Sequence, residues 1–401
     1  MKIEFYDTTL RDGAQMEGIS FSLKDKLAIV RILDNLGIDY IEGGWPFSNP
    51  KDEKFFKEVK KERLLASKIV AFGSTSHPKY KAEEDLNILG LILADTEVIT
   101  IFGKTWDFHI KNVLRISLER NLKIIEDSVR FLRKKRKRVF FDCEHFFDGY
   151  KDNPEYAKRV VNAAINGGCE MVILCDTNGG SFPEEIEKII KELKADFPLG
   201  IHTHNDKELA VANTLSAVKA GCKQVQGTMN GYGERCGNAN LITLIPNLYK
   251  LGFKSLKEEK LKSLTEVSRL ISEIANITPN PHQPYVGHSA FAHKAGVHIA
   301  AVMKHPTTYE HIDPELVGNT RKMIVSELAG KGSIIHKARF KGIEFSKEEI
   351  KKVLKSIKEL EDYGYQFEEA DGSFELLVDK ALGRHKSSFK IKEYDVVVES
   401  E

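Results

Sequence analysis

The sequence predicts an α/β fold, a (β/α)8 TIM barrel followed by small helical subdomains, on three observations. Short apolar runs alternate with amphipathic helical stretches over the first ~230 residues. The polar residues with chemical potential fall at one end of those runs. After about Ser272 the alternation stops.

Eight runs read as strands: Ile3–Thr8, Tyr40–Gly43, Ile69–Phe72, Val98–Phe102, Val139–Cys143, Met171–Cys175, Gly200–Thr203 and Gln224–Gly227. Helices such as Ser22–Leu36 lie between them. Ser22 is its N-cap, Leu23, Leu27, Val30 and Leu33 share a face, and Gly37 stops it. Eight strand–helix repeats fit a closed barrel better than an open doubly wound sheet. Barrels of this kind carry chemistry at the C-terminal ends of their strands. Here Arg11 and Asp12 follow strand one, Glu42 ends strand two and Glu144 ends strand five. Asp176 and Thr177 end strand six, His202 and His204 end strand seven, and Asn230, Glu234 and Asn238 follow strand eight.

Beyond the barrel, Thr278-Pro-Asn-Pro281-His-Gln-Pro284 is a Pro-rich connection that excludes helix. Ser346 and Glu349 form a capping box opening a helix to about Leu360, and a second helix is expected near Gly372–Leu382. Phe389–Val398 alternates like a strand. The expected organisation is a catalytic barrel over 1–272, a linker and first subdomain closing the site over 273–343, and a helical subdomain over 344–388.

The 401 residues are 41% hydrophobic and 30% charged, with a formal net charge of +1. That balance gives no drive toward nucleic acid or membrane. Five cysteines without a C-x-x-C pair point to a reducing, cytoplasmic setting, as does an apparent strand at the start in place of a signal peptide. The run Arg133-Lys-Lys-Arg-Lys-Arg138 reads as a solvated helix end, with an anion site as the sharper alternative.

His202 and His204 are one residue apart on a strand, so both imidazoles face the same way. With Asp12 and Asn238 they make a mixed O/N ligand set for a divalent ion, with Zn, Mn, Co and Mg all compatible. Open coordination positions would suit a chelating 2-oxo acid. Arg11 can stabilise the alkoxide formed when carbon attacks the ketone, and Glu42 can orient Arg11. Thr177 offers a hydroxyl to the substrate carboxylate, or caps the next helix. Glu144, beside His145, is a general-base candidate whose partly apolar surroundings would raise its pKa. His298 and Tyr309, from beyond the barrel, could close over the site. His109, on the loop after strand four, is a further candidate, although a lone histidine is more often structural. The run Asn230–Asn240 matches neither a P-loop nor a dinucleotide fingerprint; its glycines would let Asn238 face the metal.

The motifs Asp7-Thr-Thr-Leu-Arg11-Asp12-Gly13, Glu42 after strand two, His202/His204 and Asn230-Gly-x-Gly-Glu-Arg-x-Gly-Asn238 resemble the DRE-TIM metallolyases. Within them the chain, from residue 2 onward, is similar to the acetyl-CoA-dependent condensing synthases that make 2-isopropylmalate, homocitrate or citramalate. Glu42-Gly-Gly-Trp45-Pro-Phe-Ser-Asn-Pro50 and Phe102-Gly-Lys-Thr-Trp-Asp-Phe-His109 look like the citramalate branch. The resemblance implies a metal on Asp12, His202, His204 and Asn238, with Arg11 at the ketone. Thr177, His109 and Glu42 lie on the substrate side, and Glu144, His298 and Tyr309 serve proton abstraction. It implies acetyl-CoA and pyruvate as substrates, (R)-citramalate as product and a threonine-independent route to isoleucine. It also implies a homodimer in which one subunit's post-barrel region covers the partner's site. A C-terminal regulatory domain is part of the pattern. Only residues 389–401 could belong to it, so the expectation is a short form insensitive to isoleucine or leucine. The alternatives are another 2-oxo acid or a carbon–carbon lyase or aldolase.

Overall fold

Eight parallel strands close on themselves in sequence order, with β1 hydrogen-bonded to both β2 and β8. They are β1 (Glu4–Asp7), β2 (Tyr40–Gly44), β3 (Lys68–Ser74), β4 (Val98–Lys104), β5 (Arg138–Glu144), β6 (Met171–Asp176), β7 (Leu199–Thr203) and β8 (Gln224–Gly227). This computed structural model describes residues 2–46, 48–193, 196–253, 256–324, 345–367, 370–387 and 389–399. All eight expected strands are present, because buried parallel strands are continuous apolar runs that sequence reveals directly.

Inside the barrel, Tyr6, Tyr40, Val70, Val98, Phe140, Met171, Ile173 and Cys175 pack together. Tyr40 and Phe140 meet edge-on with centroids 5.2 Å apart. Two residues further along the strands the same inward face turns polar, with Glu42, Thr100, Asp142, His202 and Gln226, all buried. An apolar floor therefore carries a polar layer toward the C-terminal ends.

The helix Leu23–Leu36 shows how the outer layer is punctuated. Ser22 and Asp25 form a reciprocal capping box, and Gly37 ends the helix at φ 96°. Losing such a cap costs about 1 kcal/mol. The helix Leu118–Lys134 leads into the basic run. Arg133 and Arg138 both grip Glu170, at 2.5 and 2.8 Å, and Lys137 Nζ donates to Thr96 O at 2.9 Å. Thr96 and Glu170 lie just before β4 and β6. These cations therefore tie down the barrel end opposite the polar layer.

The chain divides into two compact units, residues 1–287 with 316–318, and residues 288–315 with 319–401. The second contains the helix Gly296–Val302 and the helices Lys347–Asp362 and Asp371–Ala381. The expected capping box at Ser346 and Glu349 is present. Val353, Ile357, Phe374 and Leu377 form part of a core between the last two helices. The alternating run Phe389–Val398 is not a strand: Phe389 is 75% and Val398 86% exposed, and no edge among the described residues pairs with it. Within the expected subdomain 273–343, residues 325–343 lie outside the described residues. Among the described residues no helix is long and apolar enough to cross a membrane.

Candidate metal centre and active site

His202 is the penultimate residue of β7, and His204 is the first residue beyond that strand. Their Nε2 atoms lie 3.3 Å apart, both buried. His202 Nδ1 meets Gln226 Oε1 at 3.0 Å, its register partner on β8. That contact makes Nδ1 the protonated nitrogen and leaves the Nε2 lone pair free. Asp12 Oδ2 is 3.2 Å from His202 Nε2. Among the described residues, ligand atoms of Asp12, His202 and His204 lie within 4.8 Å of one another.

Asn238 stands beside these three. Its Nδ2 lies 2.9 Å from Asp12 Oδ2 and 3.2 Å from His202 Nε2, while its Oδ1 is buried without a hydrogen-bond partner among the described residues. Turning the carboxamide over exchanges the two atoms and brings oxygen into the ligand set. The loop glycines permit the approach: Gly237 adopts φ 91°, and a Cβ there would lie 2.1 Å from Gly231 O.

Charge and burial hold Asp12 ionised and His204 neutral, as metal ligands must be, while the Asp12 charge favours the protonated form of His202. Burial pushes Asp12 up, but the Arg11 charge and the His202 hydrogen bond outweigh it, holding the carboxyl well below the usual range. Burial, then the charge of His202, push His204 down to about 3. Burial also opposes charge on His202, but Asp12 more than offsets it and raises its pKa. A buried carboxylate, two imidazoles and an orphan amide oxygen fit a divalent cation.

Arg11 Nε donates to Glu42 Oε1 at 2.6 Å, and its Nη1 lies 3.4 Å from Asp12 Oδ1. Tyr6 donates to the other oxygen of Glu42 at 2.7 Å. The guanidinium lies 3.8 Å over the Phe72 ring. Arg11 therefore has one fixed direction, along the edge of the ligand set.

A cavity of about 260 Å³ opens above, lined by Arg11, Asp12, His202 and His204, and also by Asp142, Glu144, Thr177, Glu234 and Arg235. Its apolar wall is Trp45, Phe72 and Phe102. Phe72 and Phe102 stack at 5.5 Å, and Trp45 stands edge-on to both at 6.0 and 5.9 Å.

Glu144 lines the partly apolar cavity, and it has a partner that the sequence did not show: Lys104 Nζ lies 2.5 Å from its Oε2. The two are register partners on β4 and β5, a pairing invisible in the sequence. His109 does not line the cavity; it packs edge-on against His145 at 4.4 Å and on Trp106 at 5.4 Å. His298 and Tyr309 belong to the second unit, where their rings lie 4.1 Å apart. Four cysteines are buried, and Cys236 is exposed.

Sequence reading missed Gln226, Asp142, Lys104 and the aromatic wall. Asp142 and Gln226 had one signal, a polar residue inside an apolar strand. Burial pushes Asp142 up to about 7.

Residues 2–271 match the HMGL-like family model, and residues 285–365 match the homocitrate synthase post-HMGL domain-like model. The chain belongs to the HMGL-like family. It is 53% identical to the (R)-citramalate synthase of Aquifex aeolicus, covering 99% of this chain and 76% of the relative. The (R)-citramalate synthase of Geobacter sulfurreducens is 52% identical, again over 99% of this chain and 76% of the relative. These identities put the chain in the citramalate synthase branch of the family. Among solved structures, the HMG-CoA lyase of Bacillus subtilis superposes with a TM-score of 0.59 at 20% identity, covering 69% of this chain and 94% of that one. That likeness concerns the fold alone.

Proposed function

We infer that the protein condenses acetyl-CoA with pyruvate and hydrolyses the product thioester to (R)-citramalate and coenzyme A. The observation that carries this reading is the cavity itself: about 260 Å³ lined by a ligand set suited to a divalent cation, by the Arg11 guanidinium and by the rings of Trp45, Phe72 and Phe102. The ligand set and the Arg11 guanidinium beside it suit an α-keto carboxylate. Relatives of about 50% identity named for this activity support it.

Asp12, His202, His204 and Asn238 would hold the divalent ion, and the donor mixture suits Zn, Mn, Co or Mg. Bound there, it supplies Lewis acidity to the ketone. Arg11, aimed by Glu42, donates to the ketone oxygen as negative charge develops on it. Thr177 donates to the carboxylate. Glu144 takes a proton from the acetyl methyl group, with His298 and Tyr309 assisting. The methyl carbon bonds to the ketone carbon as the C=O π bond breaks, and the ketone oxygen gains a proton and stays on that carbon as the tertiary hydroxyl. Water then cleaves the C–S bond, releasing the carboxylic acid and the thiol. In this reading the protein is a cytoplasmic homodimer whose post-barrel region serves the partner's site, and its product feeds isoleucine synthesis.

The test is release of free thiol from acetyl-CoA with pyruvate, 2-oxoisovalerate, 2-oxoglutarate or glyoxylate, with and without a chelator. Chelator-sensitive release with pyruvate, yielding citramalate, is expected. Release only with a bulkier keto acid would move the substrate. No release with any, in metal-loaded protein, would sink the synthase reading.

A further inference from the structure

Thr177 is held from two sides. Its carbonyl accepts from Arg235 Nη2 at 2.8 Å, and Asp206 grips that guanidinium through both carboxylate oxygens at 2.8 and 2.9 Å. Its hydroxyl oxygen accepts the backbone N–H of His145 at 2.8 Å. A hydroxyl has one proton and two lone pairs. The His145 bond uses a lone pair, and the hydroxyl proton has no acceptor among the described residues. Because Thr177 lines the cavity, that proton is available to a ligand there.

The His145 N–H points at Thr177 because His145 is left-handed, at φ 56° and ψ 38°. β5 fixes the chain before it and the helix Phe146–Asp152 fixes the chain after it. Between those anchors, the sign of φ at 145 decides which way the 144–145 peptide plane faces. For an L-residue this conformation costs about 1–2 kcal/mol, so something must hold it. The ring does. Its Nδ1 lies 3.1 Å from Asp148 Oδ2, Asn178 Nδ2 donates to the same oxygen at 3.1 Å, and His109 closes edge-on at 4.4 Å. The ring is buried, and the site mechanism gives it no task.

We propose that His145 is a positioning residue for the keto-acid carboxylate: Asp148 and His109 lock its left-handed backbone, whose N–H turns the Thr177 hydroxyl into a donor toward the substrate. His109 thereby gains a role that does not require it to touch substrate. The inference rests on the assignment of Thr177 to the carboxylate.

The test compares KM for pyruvate with kcat in His145→Val, which disfavours left-handed backbone, and His145→Asn, which tolerates it. His145→Val is expected to raise KM for pyruvate about tenfold, the scale of one lost hydrogen bond, with kcat within about twofold. KM for acetyl-CoA stays put. His145→Asn restores KM to within about twofold of the parent. Thr177→Val raises KM similarly, and the double variant is no worse than Thr177→Val alone. Should His145→Val fail to fold, Asp148→Ala, which frees the ring, raises KM in the same direction. Equal damage from Asn and Val, or additive effects with Thr177→Val, would overturn the proposal. A raised KM in Thr177→Val with a normal one in His145→Val would overturn it and spare the reading of Thr177. An unchanged KM in Thr177→Val would overturn both.

Discussion

Gly233 and Asn238 are fitted to each other: a Cβ built on Gly233 would lie 1.9 Å from Asn238 Oδ1. The carboxamide cannot retreat, because its other atom faces Asp12 and His202 at 2.9 and 3.2 Å. Gly233→Ala is therefore expected to push Asn238 out of the ligand set and weaken divalent-metal affinity about 10–100-fold. Calorimetric metal titration of the stripped protein, with far-UV circular dichroism as a folding check, measures this. Unchanged affinity would remove Asn238 from the ligands.

Glu42 is the hinge of the Arg11 orientation, and its two oxygens are committed to Arg11 and Tyr6 at 2.6 and 2.7 Å. Glu42→Gln keeps the shape and removes the charge. We expect kcat to fall about 10–100-fold with bound metal unchanged, since Arg11 loses its fixed aim at the developing charge. Stopped assays of thiol release beside metal analysis separate the two. A loss of metal equal to the loss of activity would contradict this role.

Asp7 is buried beside Thr9, which donates to it through its N–H at 3.0 Å and its hydroxyl at 2.7 Å. Burial pushes the carboxyl up from 3.8 to about 7, against those hydrogen bonds. Between those two values the folded protein keeps a proton that the unfolded chain has released. The contribution of Asp7 to stability is therefore full at low pH and declines as pH rises toward about 7. Asp7→Asn stays neutral and escapes that decline. The difference in melting temperature, parent minus variant, should shrink or change sign as pH rises from about 5 to 8. A constant difference would mean that Asp7 titrates normally.

In the proposed reading the aromatic wall bounds the subsite for the ketone's methyl group. Phe102 stacks on Phe72 and supports Trp45, so Phe102→Ala opens the wall without touching the ligand set. The ratio of kcat/KM for 2-oxoisovalerate over pyruvate is expected to rise about tenfold or more, since each methylene in such a pocket is worth about 1–3 kcal/mol. Competition assays with both keto acids read the ratio directly. No change would place the methyl subsite elsewhere.

Much of this site was legible because its key pairs are local. Arg11 and Asp12 are adjacent, and the His202–His204 spacing puts two imidazoles on one strand face. The alternation of strands and helices gave the barrel, and the barrel rule said at which end chemistry would lie. Contacts between strands were not legible. Lys104 meets Glu144, and Gln226 meets His202, because closure sets those residues side by side in register. The strand-like alternation of Phe389–Val398 misled, because alternation describes one strand and says nothing of a partner edge.

The sequence by itself determined the eight strands, the caps that end the helices and the residue types offered at the strand ends, all of which depend on neighbours a few residues away. Only the tertiary structure decided which of those residues share an environment. Asn238 stands 226 positions from Asp12 yet within hydrogen-bonding distance of it. Burial, pairing and the direction of each lone pair arise when β8 closes against β1, and no local pattern encodes that closure.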